Sequence, residues 1–223
     1  MMNDIVHTLT IIFSNKIAQR DIPAFRGAII STLPEKNVLF HNHLEEGFRY
    51  SYPLIQYKRI RGKAAIVGID DGAKILNEIF TFDQISLKLR NKECLFSVEE
   101  KLTEVINTLY SNEMKSYHLH DWIPLNSENY EKYNSSESLA FRLGLLEKIL
   151  LGNIISFFKG LGIHLDQQIN VIINQLNSER IIKYKEIDLM SFDINFKTNL
   201  ILPNHIGLGK SSSSGFGVLC RIN

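Results

Sequence analysis

A surplus of charge of either sign is missing from this chain: 25 Lys and Arg stand against 24 Asp and Glu in 223 residues, a formal net charge of +1. Overall charge therefore announces no polyanionic partner, and any electrostatic footprint has to be local. Cysteine is also scarce. Cys94 and Cys220 are isolated and lack metal-ligand spacing, which excludes a disulfide scaffold and leads us to expect reduced thiols in a cytoplasmic protein. No long uncharged apolar run occurs. The most apolar segment, Leu143 to Ile163, is interrupted by Glu147, Lys148, Asn153 and Lys159, and reads as an amphipathic helix too polar to span a membrane. The opening MMNDIVHTLTIIFSNK has an acidic residue and no basic stretch ahead of its apolar part, so a secretory leader is not expected. With 44% hydrophobic and 22% charged residues, the composition is that of an ordinary globular protein rather than a disordered one.

What is present is concentrated in a few segments, the first of them C-terminal: Ile206-GLGKSSSSGFGVLCRI-Asn223. Gly207, Gly209, Gly215 and Gly217 are free to take positive φ and carry no Cβ, so a phosphate backbone could approach main-chain N–H donors. Lys210 adds a point charge, and Ser211 to Ser214 add hydroxyls. Two other glycine motifs are excluded. A P-loop needs glycine where Asn204 stands and a helix after it, and a dinucleotide fingerprint needs glycine where Ser212 stands. A hairpin loop without any ligand is the competing reading, and in either case GFGVLCRI reads as a final strand.

A local basic footprint lies between Phe48 and Ile69, where Arg49, Lys58, Arg59, Arg61 and Lys63 occur without a single Asp or Glu. It reads either as an RNA-binding stretch or as a solvated strand face and turn.

Apolar periodicity organises the first half as β-α-β-β-α-β. Val6 to Ser14 is a strand, and Asp21 and Pro23 open a helix whose Phe25, Ile29 and Leu33 share one face until Pro34 stops it. YPLIQYKRI and KAAIVGI form two strands joined at Arg61-Gly62, a short helix starts at Asp71-Gly72, and Gln84 to Leu89 alternates as a strand. This is the split βαβ order of ferredoxin-like domains, whose open sheet commonly serves RNA. In the second half we expect a strand near Ser116 to Ile123 and a long helix opening at Asn134 to Ser136, with Asn134 and Glu137 as a capping box. Leu139, Leu143, Leu146, Leu150, Ile154, Phe157 and Leu161 form its apolar face. Strands follow at Ile169 to Leu176, Ile181 to Lys185 and Phe192 to Ile201, with no second helix, so the repeat is degraded. The expected architecture is α+β: two tandem ferredoxin-like domains with antiparallel sheets, residues 1–110 and 111–223, hinged near Glu99 to Asn112.

The segment Phe40-HNHLEEGFRYSYPLIQYK-Arg59 carries the chemistry. On an extended backbone, His41 and His43 point to the same face, so either imidazole could reach one substrate atom. Histidine both takes and gives a proton near neutral pH, which is what cutting RNA without a metal requires, the RNA supplying its own 2′-hydroxyl as nucleophile. Cations and hydroxyls from Arg49, Tyr50 and Lys58 would stabilise the charge that develops on phosphorus. The string His-Asn-His lacks the surroundings of a metal-dependent nuclease. A zinc site would need ligands from afar, with His118 and His120, also two apart, the obvious partners; no metal and no cofactor are expected.

On the marks GLGKSSSSGFG, FHNHLEEGFRYSYPLIQYK and HDWIPLNSENYEKY, the chain resembles, over nearly its full length, the CRISPR-associated endoribonucleases of the Cas-six family within the RAMP superfamily. The resemblance implies metal-independent cutting of repeat transcripts into guide RNAs that end in a 2′,3′-cyclic phosphate. Its acid/base histidine maps to His43, with His41 as a partial substitute, and its tyrosine and lysine helpers map to Tyr50 and Lys58. The loop residues Gly207, Gly209, Lys210, Ser211, Gly215 and Gly217 match its glycine-rich loop, which would hold RNA phosphates or brace the inter-domain cleft, while Arg49, Arg59, Arg61 and Lys63 are the RNA-contact candidates of the local basic footprint. Implied partners are CRISPR repeat RNA and subunits of an effector complex, with a monomeric or homodimeric chain and no membrane. Some superfamily members bind RNA without cutting it, which is the main alternative.

Overall fold

The computed structural model describes residues 5–32, 52–81 and 83–222, together with the main chain of His43–Leu44 and Gly47–Phe48. The chain divides into two compact units, Asn3–Asn107 with Ser213–Gly215 and Thr108–Ser212 with Phe216–Asn223. Each is built on an antiparallel sheet with a few helices, the tandem ferredoxin-like arrangement.

In the first unit, β1 (Val6–Lys16) leads through a 3-10 turn at Gln19–Asp21 into α1 (Ile22–Thr32). Two very short strands follow, β2 (His43–Leu44) and β3 (Gly47–Phe48), paired with each other. Next come β4 (Ile55–Ile60), β5 (Lys63–Ile69), α2 (Asp71–Ile79), β6 (Gln84–Leu89) and β7 (Lys92–Ile106). The sheet order is β4-β5-β1-β7-β6. β1 takes a central place because Thr8 to Phe13 is buried on both faces. Leu9, Ile11 and Phe13 join Phe25 and Ile29 of α1 and Leu76 of α2 in one core. There Phe13 meets Phe25, Phe80 and Phe96 edge to face at centroid separations of 5.8, 5.7 and 5.7 Å. Such pairs add about 0.5–1.5 kcal/mol each beyond their area. Gly72 opens α2 hard against the Leu54 carbonyl, where any Cβ would overlap that oxygen.

The strand Lys92–Ile106 adds an element that apolar patterning does not reveal. Gln84–Leu89 does not pair with β1; β7 does, from Val98 to Ile106, while Lys92 to Ser97 forms a hairpin with β6. The stretch expected as a hinge, Glu99 to Asn112, holds the end of β7 and also the boundary between the two units at Asn107 and Thr108. The β7 sequence, KECLFSVEEKLTEVI, keeps charges on a half-exposed sheet and buries only Phe96 and Ile106 fully, so it reads as linker.

In the second unit, β8 (Tyr110–Trp122) is followed by α3 (Ser127–Ser135), α4 (Leu139–Gly160), β9 (Val171–Tyr184), β10 (Ile187–Leu200) and β11 (Val218–Ile222). The order β11-β8-β10-β9 is that of a ferredoxin-like sheet. Where its second helix would lie, residues 201–217 run as a loop without any helix, as the degraded repeat anticipated. Helix α4 begins later than expected. Asn126 caps α3 by accepting from Asn129 N at 2.7 Å, and Ser138 caps α4 by accepting from Phe141 N at 3.3 Å, so the Asn134–Glu137 box does not form. Leu139 is 62% exposed, and the buried stripe is Leu146, Leu150, Ile154, Phe157 and Phe158. The two strands expected between Ile169 and Lys185 are one, β9. It is joined to β10 at Lys185 (φ 50°) and Glu186 (φ 62°), a left-handed two-residue turn built from residues that do not advertise one.

Within the second core, the Tyr117 hydroxyl donates to Leu200 O at 3.1 Å and accepts from Leu202 N at 2.9 Å. It ties β8 to the end of β10 and to the start of the loop. Tyr117→Phe strands the buried Leu202 N–H and should cost about 1–3 kcal/mol. Urea unfolding of the two proteins measures this, and equal midpoints would mean that water replaces the hydroxyl.

Candidate active site and nucleic-acid interface

His43 lies on β2, where His43 pairs with Phe48 and Leu44 with Gly47. The extended backbone expected for this segment is present at that residue. The His43 side chain, and all of His41, Arg49 and Tyr50, lie outside the described residues.

The basic stretch is divided by the alternation of β4. Ile55 and Tyr57 join the core under α1, so Gln56 and Lys58 point to the opposite face of the sheet, and both are fully buried. Lys58 is thus no solvated cation. Burial lowers its pKa from 10.5 to about 7. Burial likewise pushes the Tyr57 phenol up, against the pull of Arg26, and the phenol oxygen has no hydrogen-bond partner among the described residues. Arg59 is exposed, with its Nε donating to Ile17 O at 3.0 Å. Arg61 and Lys63 form ion pairs with Glu100 and Glu99, each at 2.6 Å. Those two glutamates stand on β7, far along the sequence from the acid-free stretch, and so were invisible to a local charge count.

Much of the glycine-rich loop turns its polar groups inward. In the second unit, Leu208 N donates to Gly217 O at 2.9 Å, Gly217 N to Asp121 O at 3.0 Å and Lys210 N to Ile123 O at 3.1 Å. Lys210 is exposed, yet its ammonium donates to Leu125 O at 2.6 Å. In the first unit, Tyr57 N donates to Ser213 O at 3.0 Å and Gln19 Nε2 to Gly215 O at 2.9 Å. Gly209, Gly215 and Gly217 have positive φ, and Gly207 does not. At Gly217 (φ 60°) a Cβ would overlap the Leu208 carbonyl, so close packing of the loop on itself demands that glycine. Ser211 is half-buried at φ 56°, and Ser212 and Ser214 are buried.

Comparison with known proteins assigns both halves of the chain. The model of the Cas6b N-terminal domain matches residues 4–105, and that of the Cas6b C-terminal domain matches residues 109–222. This chain belongs to the Cas6b family. A crystal structure of Cas6b is similar at 28% identity and a TM-score of 0.84, covering 98% of this chain and 100% of that one. A crystal structure of a CRISPR RNA processing endoribonuclease Cas6b is similar at 25% identity and a TM-score of 0.73, with 98% and 100% covered. An uncharacterized protein of Methanocaldococcus jannaschii is 32% identical over 111 residues, 50% of this chain and 74% of that protein.

One group in this Cas6b chain went largely unread in the sequence: His118 and His120 of β8 meet Asp193 of β10. The sequence shows the two histidines as a pair, but Asp193 joins them only through strand register. His120 is held below the usual histidine range, first by burial and then by the neighbouring His118.

The state of Lys58 has a measurable consequence. The folded chain releases its proton at about 7, whereas the unfolded chain holds it up to the ordinary 10.5. Between those values the unfolded state binds more protons, so stability rises with pH; below about 7 both states are protonated and this contribution is flat. Lys58→Met should abolish that rise, as read by urea unfolding across the window. An unchanged pH slope in the variant would mean that Lys58 reaches water.

Proposed function

We propose that this chain is an endoribonuclease that cuts CRISPR repeat transcripts into guide RNAs, with no metal in the reaction. The observation that carries this reading is the match of both halves of the chain to the two Cas6b domains, together with full-length likeness to a CRISPR RNA processing endoribonuclease. The chemistry is a transesterification. One imidazole of the His41 and His43 pair takes the proton of a 2′-hydroxyl, whose oxygen forms a new bond to the adjacent phosphorus. The bond from phosphorus to the 5′-oxygen breaks, and the leaving oxygen receives a proton from the second imidazole. The products are a 2′,3′-cyclic phosphate and a 5′-hydroxyl. General acid and base help of this kind contributes about 10²–10⁴-fold, and in-line positioning of the RNA supplies much of the rest.

Tyr50 and Lys58 are the proposed helpers. Lys58 is buried, so its part would be to act from behind the reacting groups rather than as a solvated phosphate contact. Arg49, Arg59, Arg61 and Lys63 are the proposed phosphate contacts on the first unit, and Arg61 and Lys63 would exchange Glu100 and Glu99 for phosphate oxygens. At the C-terminal loop, Lys210 and Ser211 are the proposed contacts, on a frame shaped by Gly207, Gly209, Gly215 and Gly217. The partner is repeat RNA, alone or with subunits of an effector complex, and the chain works in the cytoplasm as a monomer or homodimer.

The His41→Ala/His43→Ala double variant should lose cleavage by at least about 10²-fold while keeping its affinity for the repeat, and each single variant should retain part of the rate. Gel-resolved cleavage and filter binding with the same RNA measure both. Undiminished cutting by the double variant would remove the pair from the mechanism. Binding by the wild type without any cutting would make the chain an RNA-binding subunit instead.

A further inference from the structure

The open face of the second sheet carries a set of donors that the RNA reading leaves unused. On β8 the buried Tyr117 and Leu119 alternate with His118 and His120, which places both imidazoles on the face turned away from the core. β10 runs alongside with Asn195 opposite His118, and Asp193 lies two residues along from Asn195. Nε2 of His118 and Nδ1 of His120 come within 3.0 Å, and one ligating atom from each of His118, His120 and Asp193 lies within 4.8 Å of the others.

Three properties suit this group to a cation. The first is the tautomer. Asn195 Oδ1 lies 2.5 Å from His118 Nδ1, and Asn195 Nδ2 donates to Gln175 Oε1 at 2.9 Å, which fixes the amide with its oxygen toward the ring. His118 then carries its proton on Nδ1, the way outer-shell partners orient metal-bound imidazoles, and its Nε2 accepts from His120 Nδ1, whose proton a bound cation would displace. The second is spacing, because metal–nitrogen bonds of about 2.0–2.1 Å put neighbouring ligand nitrogens roughly 3 Å apart. The third is charge. Arg180 bonds both Asp193 and Asp121, a single guanidinium against two carboxylates, so the group retains a negative charge for a cation to neutralise.

Asp193 also has capacity left. Its Oδ2 accepts from Ser178 Oγ and from Arg180 Nη1, both at 2.8 Å, and its Oδ1 accepts from Asp121 N at 2.7 Å. A carboxylate offers about four acceptor positions, so one on Oδ1 remains.

We propose that His118, His120 and Asp193 bind a divalent transition-metal ion of the zinc class, which clamps β8 to β10 and leaves a further coordination position for water. Two imidazoles and one carboxylate suit Zn²⁺, whereas Mg²⁺ prefers an all-oxygen shell. This inference does not rest on the RNA reading, and the ion takes no part in the transesterification.

The test is calorimetric titration of the chelator-stripped full chain with Zn²⁺, with visible absorption on Co²⁺ as a second readout of the ligand set. A single ion per chain should bind and raise the melting temperature. His118→Ala, His120→Ala and Asp193→Asn should each weaken it by about tenfold or more, and Asn195→Ala by roughly 10–100-fold through loss of ring orientation. Melting in chelator identifies folded variants, and His120, which is exposed, keeps the proposal testable if another substitution unfolds the chain. Absence of Zn²⁺ binding by the wild type would overturn the site. So would unchanged affinity in the folded His118→Ala/His120→Ala double variant, which would move the ion elsewhere, with His41 and His43 the other pair. A double variant impaired in RNA binding, beside a wild type that takes no Zn²⁺, would assign the cluster to RNA instead.

Discussion

Side chains on a strand alternate between two faces, and in both units helices cover one face of the sheet. That constraint decides which groups are sealed and which are offered. On β8 it buries Tyr117 and Leu119 and turns out His118 and His120; on β10 it buries Phe192, Ile194 and Phe196 and turns out Asp193 and Asn195. On β4 it sends Tyr57 into the core with Phe25 and Lys58 to the opposite face, where Lys58 too is buried. A shift of one residue in any of these strands would exchange apolar for polar on both faces, so register is held by the whole core rather than by any single bond.

The C-terminal loop stands where a ferredoxin-like repeat would place its second helix. A helix satisfies its own main chain; a loop must find partners. Here Leu208, Lys210 and Gly217 find them in the loop itself and in the residues at the end of β8, while Tyr117 closes the entry to the loop with its hydroxyl. The glycines are accordingly needed first for close backbone packing, most plainly at Gly217 beneath the Leu208 carbonyl. This packing carries β11 to its place beside β8. Any RNA contact made by the loop is then made by an already ordered frame, which lowers the entropic cost of holding a ligand.

The parts legible in the sequence are those whose cause is local. β1, β4, β5, α2 and β11 follow from apolar patterning, and the β4–β5 turn follows from Arg61-Gly62, both left-handed in the fold. β7 was illegible because its burial is sparse and its charges resemble a linker. The β9–β10 hairpin was hidden because Lys185-Glu186 takes a conformation usually advertised by Asn or Gly. At the site, the histidine segment and the basic stretch could be read from composition, but the fate of each cation could not. Glu99 and Glu100 reach Lys63 and Arg61 only through the sheet, and Lys58 is buried by a fold its charge gave no reason to expect. The same holds for Asp193, more than seventy residues from His118 and brought beside it by the pairing of β10 with β8.

The central claim is that imidazoles drive attack by the RNA's own 2′-oxygen. End-group analysis of fragments produced from a repeat RNA in excess EDTA tests it most directly. The account predicts undiminished cutting, with 2′,3′-cyclic phosphate on one fragment and 5′-hydroxyl on the other. Fragments bearing 5′-phosphate and 3′-hydroxyl ends, or cutting that stops in chelator and returns with Mg²⁺, would contradict it.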